Sequence, residues 1–288
     1  MTQWIFRIAR RVARPLMDKG YGRLPVVRSI TAWYKKNYRP AFIEVEGRKV
    51  YLNPADPELS SYLALHGYFE KMETDLMHQY IEPGMRVLDI GANIGYFTIM
   101  SSALVGEKGS VVAIEPDETN FSFLQQGVAE LPEKNVRLVK AAAWSMSGTL
   151  DLYLSADNPG DHQSYPQDTT RHHYTVDAIV VDELPEAEEG FDFIKMDIQG
   201  AEGHALKGMR RTLDRHTPRV MIVEFWPSSL AKAGTPPEEV YDFIVGLGFE
   251  IQRISNEEGR MYPIDSYRQI EEFCDIDWKF MNLLCVRR

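Results

Sequence analysis

In VLDIGANIGYFT, residues 87–98, an apolar run ends in an acid, Asp89, and Gly91, Asn93 and Gly95 follow before a helical pattern begins. Glycines at that place remove side chains where the backbone must approach a ligand closely. The helix starting near Gly95 offers N–H groups with no partner of their own. A phosphate would suit such a helix start, but a pyrophosphate turn reads G-x-G-x-x-G, whereas this one reads G-A-N-I-G. Asp89 would also repel a phosphate and would welcome an ammonium or sulfonium. A second acid, Glu115, closes the next strand-like run, SVVAIEPD, 24 residues after Gly91. A carboxylate in that position can take both hydroxyls of a ribose. One acid for a cationic amino-acid end and one for a ribose together describe S-adenosylmethionine.

Further along, KMDIQGAE carries Asp197 and Glu202, and VMIVEF ends in Glu224. Both stretches close strands that would lie beside the cofactor strand, so Asp197 and Glu202 would border an acceptor. Methyl transfer is an in-line displacement, and the protein must align the acceptor and remove its proton. Asp197 is the first candidate base by position, and His172 or His173 the second. The plainer readings are that Asp197 caps the next helix or positions Lys195, and that the two histidines, like His162, are solvated loop residues. Three carboxylates at neighbouring strand ends could also hold Mg²⁺, but they lack a tight ligand spacing. Tyr153, Tyr165 and Tyr174 could stack on a ring acceptor or simply pack.

The elements that must position these groups are legible as alternation. Strands are expected at 85–90, 110–115, 136–140, 191–196 and 219–225, and helices at 95–105, 117–130, 200–214 and 236–247. This pattern predicts an α/β fold, a mostly parallel sheet with helices on both faces. FEIQRIS and FMNLLCVRR near the end, with no crossover helix between them, predict an antiparallel pair at the sheet edge. AFIEVEGRKVYL, residues 41–52, reads as a hairpin turning at Glu46-Gly47, and two helices broken near Gly67 follow. The segment 156–174 shows no periodicity and reads as a long loop, of the kind that is usually functional or disordered. The expected organisation is an arm at 1–40, a small cap at 41–82 and a catalytic domain at 83–288.

The chain has 288 residues and a formal net charge of -10, which argues against nonspecific nucleic-acid binding. Its charge is uneven. Residues 1–40 hold ten Lys/Arg and one acid, which leaves 22 basic against 41 acidic side chains in the remainder. On a helical wheel Arg7, Arg10, Arg11 and Arg14 share an arc of about 100°, opposite an apolar face between Trp4 and Met17. Such a helix either packs on the acidic body or lies on an anionic membrane surface. Cys274 and Cys285 have no metal or redox spacing, which fits a reduced, cytoplasmic chain. No signal peptide and no apolar run of membrane-spanning length is evident.

Taken in order, VLDIGANIGYFT, AIEPDETNF, FIKMDIQGAE and VMIVEF resemble the FkbM-type S-adenosylmethionine-dependent methyltransferases, of the Rossmann-like class I fold. The resemblance covers roughly residues 60 to 230. It implies that Asp89, Gly91, Asn93 and Gly95 hold the methionine end of the cofactor. It implies too that Glu115 with Pro116 holds the ribose side, and that Glu70 in GYFEKMET approaches from the preceding helix. It further implies O-methylation of a hydroxyl on a sugar, glycolipid or secondary metabolite. The family's commonest third motif has Glu where this chain has Gln199. The Gln form resembles a branch with a loop such as Gly160-Asp161-His162, and it removes one charge near the acceptor. Two rival readings remain: a nicotinamide-dependent oxidoreductase, which would need the missing G-x-G turn, and a non-catalytic, membrane-recruited binding module.

Overall fold

Alternating apolar residues on either side of Glu46-Gly47 form the first hairpin. Strands β1 (Phe42–Val45) and β2 (Arg48–Tyr51) pair antiparallel. Both turn residues have positive φ, 49° and 72°, as a tight hairpin turn requires. Helix α1 (Leu59–His66) stops at Gly67, whose φ of 75° ends the helix by a left-handed cap. Helix α2 (Lys71–Tyr80) follows. The computed structural model describes residues 40–56, 58–154, 162–165 and 172–287. The amphipathic segment 4–17 and the Gly160-Asp161 part of the loop lie outside the described residues.

From Pro83-Gly84 onward strands and helices alternate. They are β3 (Arg86–Ile90), α3 (Tyr96–Val105), β4 (Ser110–Ile114), α4 (Glu118–Ala129) and β5 (Val136–Val139). Three strands, β6 (Ala142–Ala143), β7 (Gly148–Tyr153) and β8 (His173–Ile179), then form a separate small sheet in the order β6-β8-β7. After it come β9 (Phe193–Met196), α5 (Glu202–Gly208), α6 (Arg210–Arg215), β10 (Val220–Phe225), α7 (Pro227–Lys232) and α8 (Pro237–Gly246). The chain ends with β11 (Glu250–Ser255), β12 (Arg260–Ile264), α9 (Tyr267–Phe273) and β13 (Met281–Val286).

The main sheet has the order β12-β11-β13-β10-β9-β3-β4-β5. Strands β5, β4, β3, β9 and β10 are mutually parallel. The order reverses beside β3, because the chain moves outward to β4 and β5 and then returns to β9 on the other side. Ligands of open parallel sheets bind at such a reversal, beyond the carboxyl ends of the strands. The two late strands do pair antiparallel, as expected. Yet β13 is inserted between β10 and β11, and a further strand, β12, forms the outer edge.

Alternation along each strand sends side chains to two cores. Leu88, Ile90, Ile194, Met196, Met221 and Val223 share one of them with α5 and α8. Val87, Phe193 and Ile222 share the other with α3 and with Val45 and Val50 of the first hairpin. By the same alternation Asp89, Lys195, Glu224 and Asn282 fall on the second face, toward the carboxyl end of the parallel strands. A row of polar groups therefore crosses four adjacent strands there.

Candidate active site

The turns that follow the central strands are bonded to one another. Gly91 N and Ala92 N both donate to Ile114 O at 3.0 Å, and Asp197 N donates to Ile90 O at 3.0 Å. This lacing explains Gly91. Its φ is 82°, and a Cβ added there would lie 1.9 Å from the Asp197 carbonyl oxygen. Gly95, φ 93°, would place a Cβ 2.6 Å from the Leu124 side chain of α4. The close approach read from the sequence is thus, in this structure, an approach of protein to protein.

Beyond these turns lies a cleft open to solvent, whose lining includes Gly91, Asn93, Glu115, Pro116, Asp197 and Gln199. Glu115 is one of the two acids in this lining. Asn93 N donates to one carboxylate oxygen at 2.8 Å and Asp117 N to the other at 2.9 Å. Burial pushes the carboxyl up to about 8, against the pull of those two backbone bonds. Ile114, Pro116, Ala141, Ala142, Ala143, Trp144, Leu150 and Leu152 make an apolar slot next to it. A carboxylate with spare acceptor capacity beside a slot of small and apolar side chains fits a nucleoside, the ring in the slot and the diol on the acid.

Asp89 lies under the glycine turn, 2% exposed, and accepts from the Thr98 hydroxyl of α3. Burial raises its carboxyl to about 6. Asp89 lies behind the cleft and does not line it, whereas Asp197 does and is held from two sides. Lys195 Nζ is 3.3 Å from Oδ2, and the Gln199 amide donates to Oδ1 at 3.0 Å. Lys195 is 2% exposed and also lies 3.9 Å from Glu70 Oε2 and 4.9 Å above the Phe97 ring. Burial works against its charge, but Asp197, Glu70, Asp89 and Glu73 outweigh burial, so its pKa is raised and it stays a cation.

Helix α2 supplies the other wall of this polar row. Glu70 accepts from Asn282 at 3.1 Å, and the fully buried Glu73 accepts from Asn282 and Asn256, both at 2.7 Å. Burial lifts Glu70 to about 8, with Lys195 pulling the other way. Glu70 therefore meets Lys195 and Asn282 and does not line the cleft. Glu224 accepts from Gln199 at 3.1 Å, and its second oxygen is buried without a partner. Burial first, and then Asp197 and Glu202, raise it well above the ordinary carboxylate range.

Three other sequence candidates lie elsewhere. Glu202, fully buried at the start of α5, accepts from Ile198 N at 3.0 Å; it clamps the turn and does not border the cleft. Burial raises its carboxyl to about 7. His172 and His173 are exposed and do not reach the cleft. The pleat of β8 buries Val176 and Ala178, so His173, Thr175 and Asp177 face outward, and the His173 ring lies 5.0 Å from Tyr153. The histidine of this segment that does face the cleft is His162, 3.6 Å from Asp117 Oδ2. Asp117 also accepts from Tyr174 at 2.7 Å, and Tyr165 bonds Ser229 beside the Gln199 turn. The wall made by β6 and β7 was missed from the sequence, although the alternation in GTLDLY and YTVDAI signals it. Among the described residues no group of three or more acidic, histidine or cysteine side chains converges as a metal-ligand set. Asp89, Asp197 and Glu224 turn to Thr98, Lys195 and Gln199 instead. No described helix is long and apolar enough to cross a membrane.

The parallel sheet with its antiparallel insertion, the laced glycine turn and the acid closing the second strand define the class I, Rossmann-like methyltransferase fold. Residues 89–251 match the methyltransferase FkbM domain. The chain belongs to the FkbM methyltransferase family. Protein-L-isoaspartate O-methyltransferase 2 of Arabidopsis thaliana is 30% identical over 95 residues, 32% of this chain and 28% of that protein. Ribosomal RNA large subunit methyltransferase E of Oleidesulfovibrio alaskensis is 27% identical over 207 residues, 66% of this chain and 88% of that protein. Methyltransferase FkbM from Methylobacillus flagellatus KT has a solved structure that is 17% identical, with a TM-score of 0.44, over 90% of this chain and 59% of that one. The chain spans between 28% and 40% of the length of the three isoaspartate methyltransferase relatives.

Proposed function

We propose that this protein is an S-adenosylmethionine-dependent methyltransferase that methylates a hydroxyl of a sugar, glycolipid or secondary metabolite. The observation that carries the cofactor is Glu115, whose two oxygens are fixed by Asn93 N and Asp117 N at the mouth of an apolar slot. Ribose hydroxyls can donate to the remaining lone pairs, and Asp89 offers a buried charge under the turn for the ammonium end. S-adenosylmethionine supplies an electrophilic methyl when bound. Asp197 is the base in this reading: it borders the cleft, and Lys195 and Gln199 fix its orientation. With the cofactor bound, Asp197 would take the proton of the acceptor hydroxyl, while Lys195 and Gln199 hold the carboxylate in place.

A hydroxyl acceptor without phosphate near its reacting end fits the charge. Among the described residues that line the cleft none is a lysine or arginine, while Glu115 and Asp197 are acids, and such a set gives a phosphodiester no permanent cation as partner. Titration calorimetry with S-adenosylmethionine, S-adenosylhomocysteine and NAD tests the cofactor. Binding of NAD alone would return the reading to an oxidoreductase. Transfer of a labelled methyl into a cell extract, followed by mass spectrometry, tests the acceptor. Label found only in RNA or protein would overturn the sugar or metabolite assignment.

A further inference from the structure

Gln199 stands in the turn after β9 with a left-handed backbone, φ 55°. Its side-chain nitrogen lies 3.0 Å from Asp197 Oδ1 and 3.1 Å from Glu224 Oε1. A primary amide carries two N–H bonds on one nitrogen, so a single group serves carboxylates from two neighbouring strand ends. Turning the amide over would set its carbonyl against the Asp197 carboxylate, which favours the orientation seen. The turn is itself pinned, because Gln199 O accepts from the Ser229 hydroxyl at 2.8 Å. The second oxygen of Glu224 is buried and has no partner, so Gln199 is the donor that the structure gives this acid.

We infer that Gln199 is a positioning residue that aims the Asp197 carboxylate into the cleft, and that Glu224 is the second acceptor that locks the amide in its working orientation. The inference rests on the reading of Asp197 as the acceptor-side carboxylate. The charged groups facing Asp197 come from every neighbouring element. They are Lys195 on β9, Asp89 on β3, Glu70 on α2 with Glu73 behind it, Glu202 on α5 and Glu224 on β10. Among the described residues Lys195 and Gln199 are the side-chain donors on Asp197. A glutamate at position 199 would remove both amide donors and add a third carboxylate to the Asp197–Glu224 pair. Such a trio has to hold an extra shared proton.

The test needs no knowledge of the acceptor. Calorimetry in buffers of different ionisation enthalpy counts the protons released when S-adenosylmethionine binds and when S-adenosylhomocysteine binds. Their difference isolates the response to the sulfonium charge. In Gln199→Glu this difference should rise toward one additional proton per site, because the incoming cation drives out the shared one. In the exchange variant Gln199→Glu with Glu224→Gln, the number of acids and amides is restored, and the difference should return to the wild-type value. Gln199→Met, which has the shape but no donor, should move the count in the same direction by a smaller amount, and it stands in if Gln199→Glu does not fold by circular dichroism. A proton count in Gln199→Glu equal to wild type, or no recovery in the exchange variant, overturns the inference while the cofactor reading stands. A wild-type protein that binds neither ligand overturns the methyltransferase reading and this inference with it.

Discussion

Replacing Glu115 by glutamine should weaken cofactor binding, and the loss should grow with pH. In the structure both oxygens of Glu115 accept backbone bonds, at 2.8 and 2.9 Å, and burial holds the carboxyl up at about 8. At neutral pH most of the empty protein therefore carries a proton on Glu115. Donation from two ribose hydroxyls favours the carboxylate, so binding releases that proton, at a cost of about 1.4 kcal/mol for each unit of pH below the pKa. Hydrogen bonds to a charged group contribute ~1.5–3 kcal/mol each. Glutamine keeps one carbonyl oxygen and turns an amide against a backbone donor, so roughly 2–4 kcal/mol of gross interaction disappears. Because the variant has no proton to release, the net loss near neutral pH is about 1–3 kcal/mol, on the order of 5- to 150-fold in Kd. Wild-type affinity for S-adenosylhomocysteine should rise by up to about tenfold as pH passes through the Glu115 pKa, while the variant stays flat apart from changes common to both proteins. Isothermal titration of both proteins across this range measures the ratio of their Kd values. A ratio that does not change with pH, or a loss smaller than about threefold on the alkaline side, refutes the assignment of Glu115 to the ribose.

The same raised carboxyls make stability fall with pH in the empty protein. Glu70 and Glu115 at about 8 and Glu202 at about 7 bind protons more tightly folded than unfolded. Their stabilising effect is complete below the ordinary glutamate value and is lost as pH rises through 7 to 8. Thermal melts should show the highest Tm on the acid side of neutrality, with S-adenosylhomocysteine narrowing the decline; a Tm still climbing through pH 8 would contradict it. Gly91→Val should lower stability by roughly 2–4 kcal/mol or prevent folding, since its Cβ meets the Asp197 carbonyl; a Tm within a degree or two of wild type would rule out that contact. Lys195→Met should destabilise by about 3–5 kcal/mol, because it leaves Asp197 without its cation, and adding Asp197→Asn should recover part of that loss in a denaturant titration. Asp197→Asn should leave cofactor Kd nearly unchanged and lower kcat, the pattern of a group that acts on the acceptor. An unchanged kcat would make Asp197 structural. For the arm, full-length protein should pellet with anionic vesicles at low salt, and a chain starting at Ala41 should not; equal behaviour of the two would leave residues 4–17 as a packing segment.

The glycine turn and the acid that closes the next strand were legible because local sequence builds them. Asp89, Gly91, Asn93 and Gly95 lie within one turn, and Glu115 closes the very next strand, so spacing alone brings them together. The strand–helix alternation was legible for the same reason. What escaped was either weakly patterned or distant in sequence. The split of 200–214 into α5 and α6 occurs at Met209, inside a continuous helical pattern. Strand β12 is only five residues long, with Pro263 in it, and proline in a strand argues for an edge. The segment 156–174 reads as one loop because its middle is polar and aperiodic, which hides the start of β8. Proximity of His172 and His173 to that loop suggested a base, but only the pleat of β8 decides which face a histidine occupies.

The polar row across β3, β9, β10 and β13 could not be read from spacing, because its parts are brought together by register and by helix packing. Asn282 is opposite Glu224 in the β10–β13 pairing and bonds Glu70 and Glu73 from a helix more than two hundred positions earlier. Lys195 faces Asp89 across the β3–β9 pairing. A lysine in the middle of FIKM reads as a defect in an apolar strand until the four carboxylates around it are seen. Its presence there is hard to justify by stability, since a buried ion pair is often no better than apolar packing. The same burial does something that a leucine could not. It holds a permanent cation against Asp197 while Glu70, Glu115 and Glu224 carry protons that a bound ligand can displace. Along the row behind the cleft, Lys195 keeps a cation beside Asp197 while burial holds Glu70 and Glu224 above the ordinary carboxylate range. In the proposed reaction that division leaves Asp197 as the carboxylate that faces the acceptor, with two neighbouring acids already protonated and unable to take its proton.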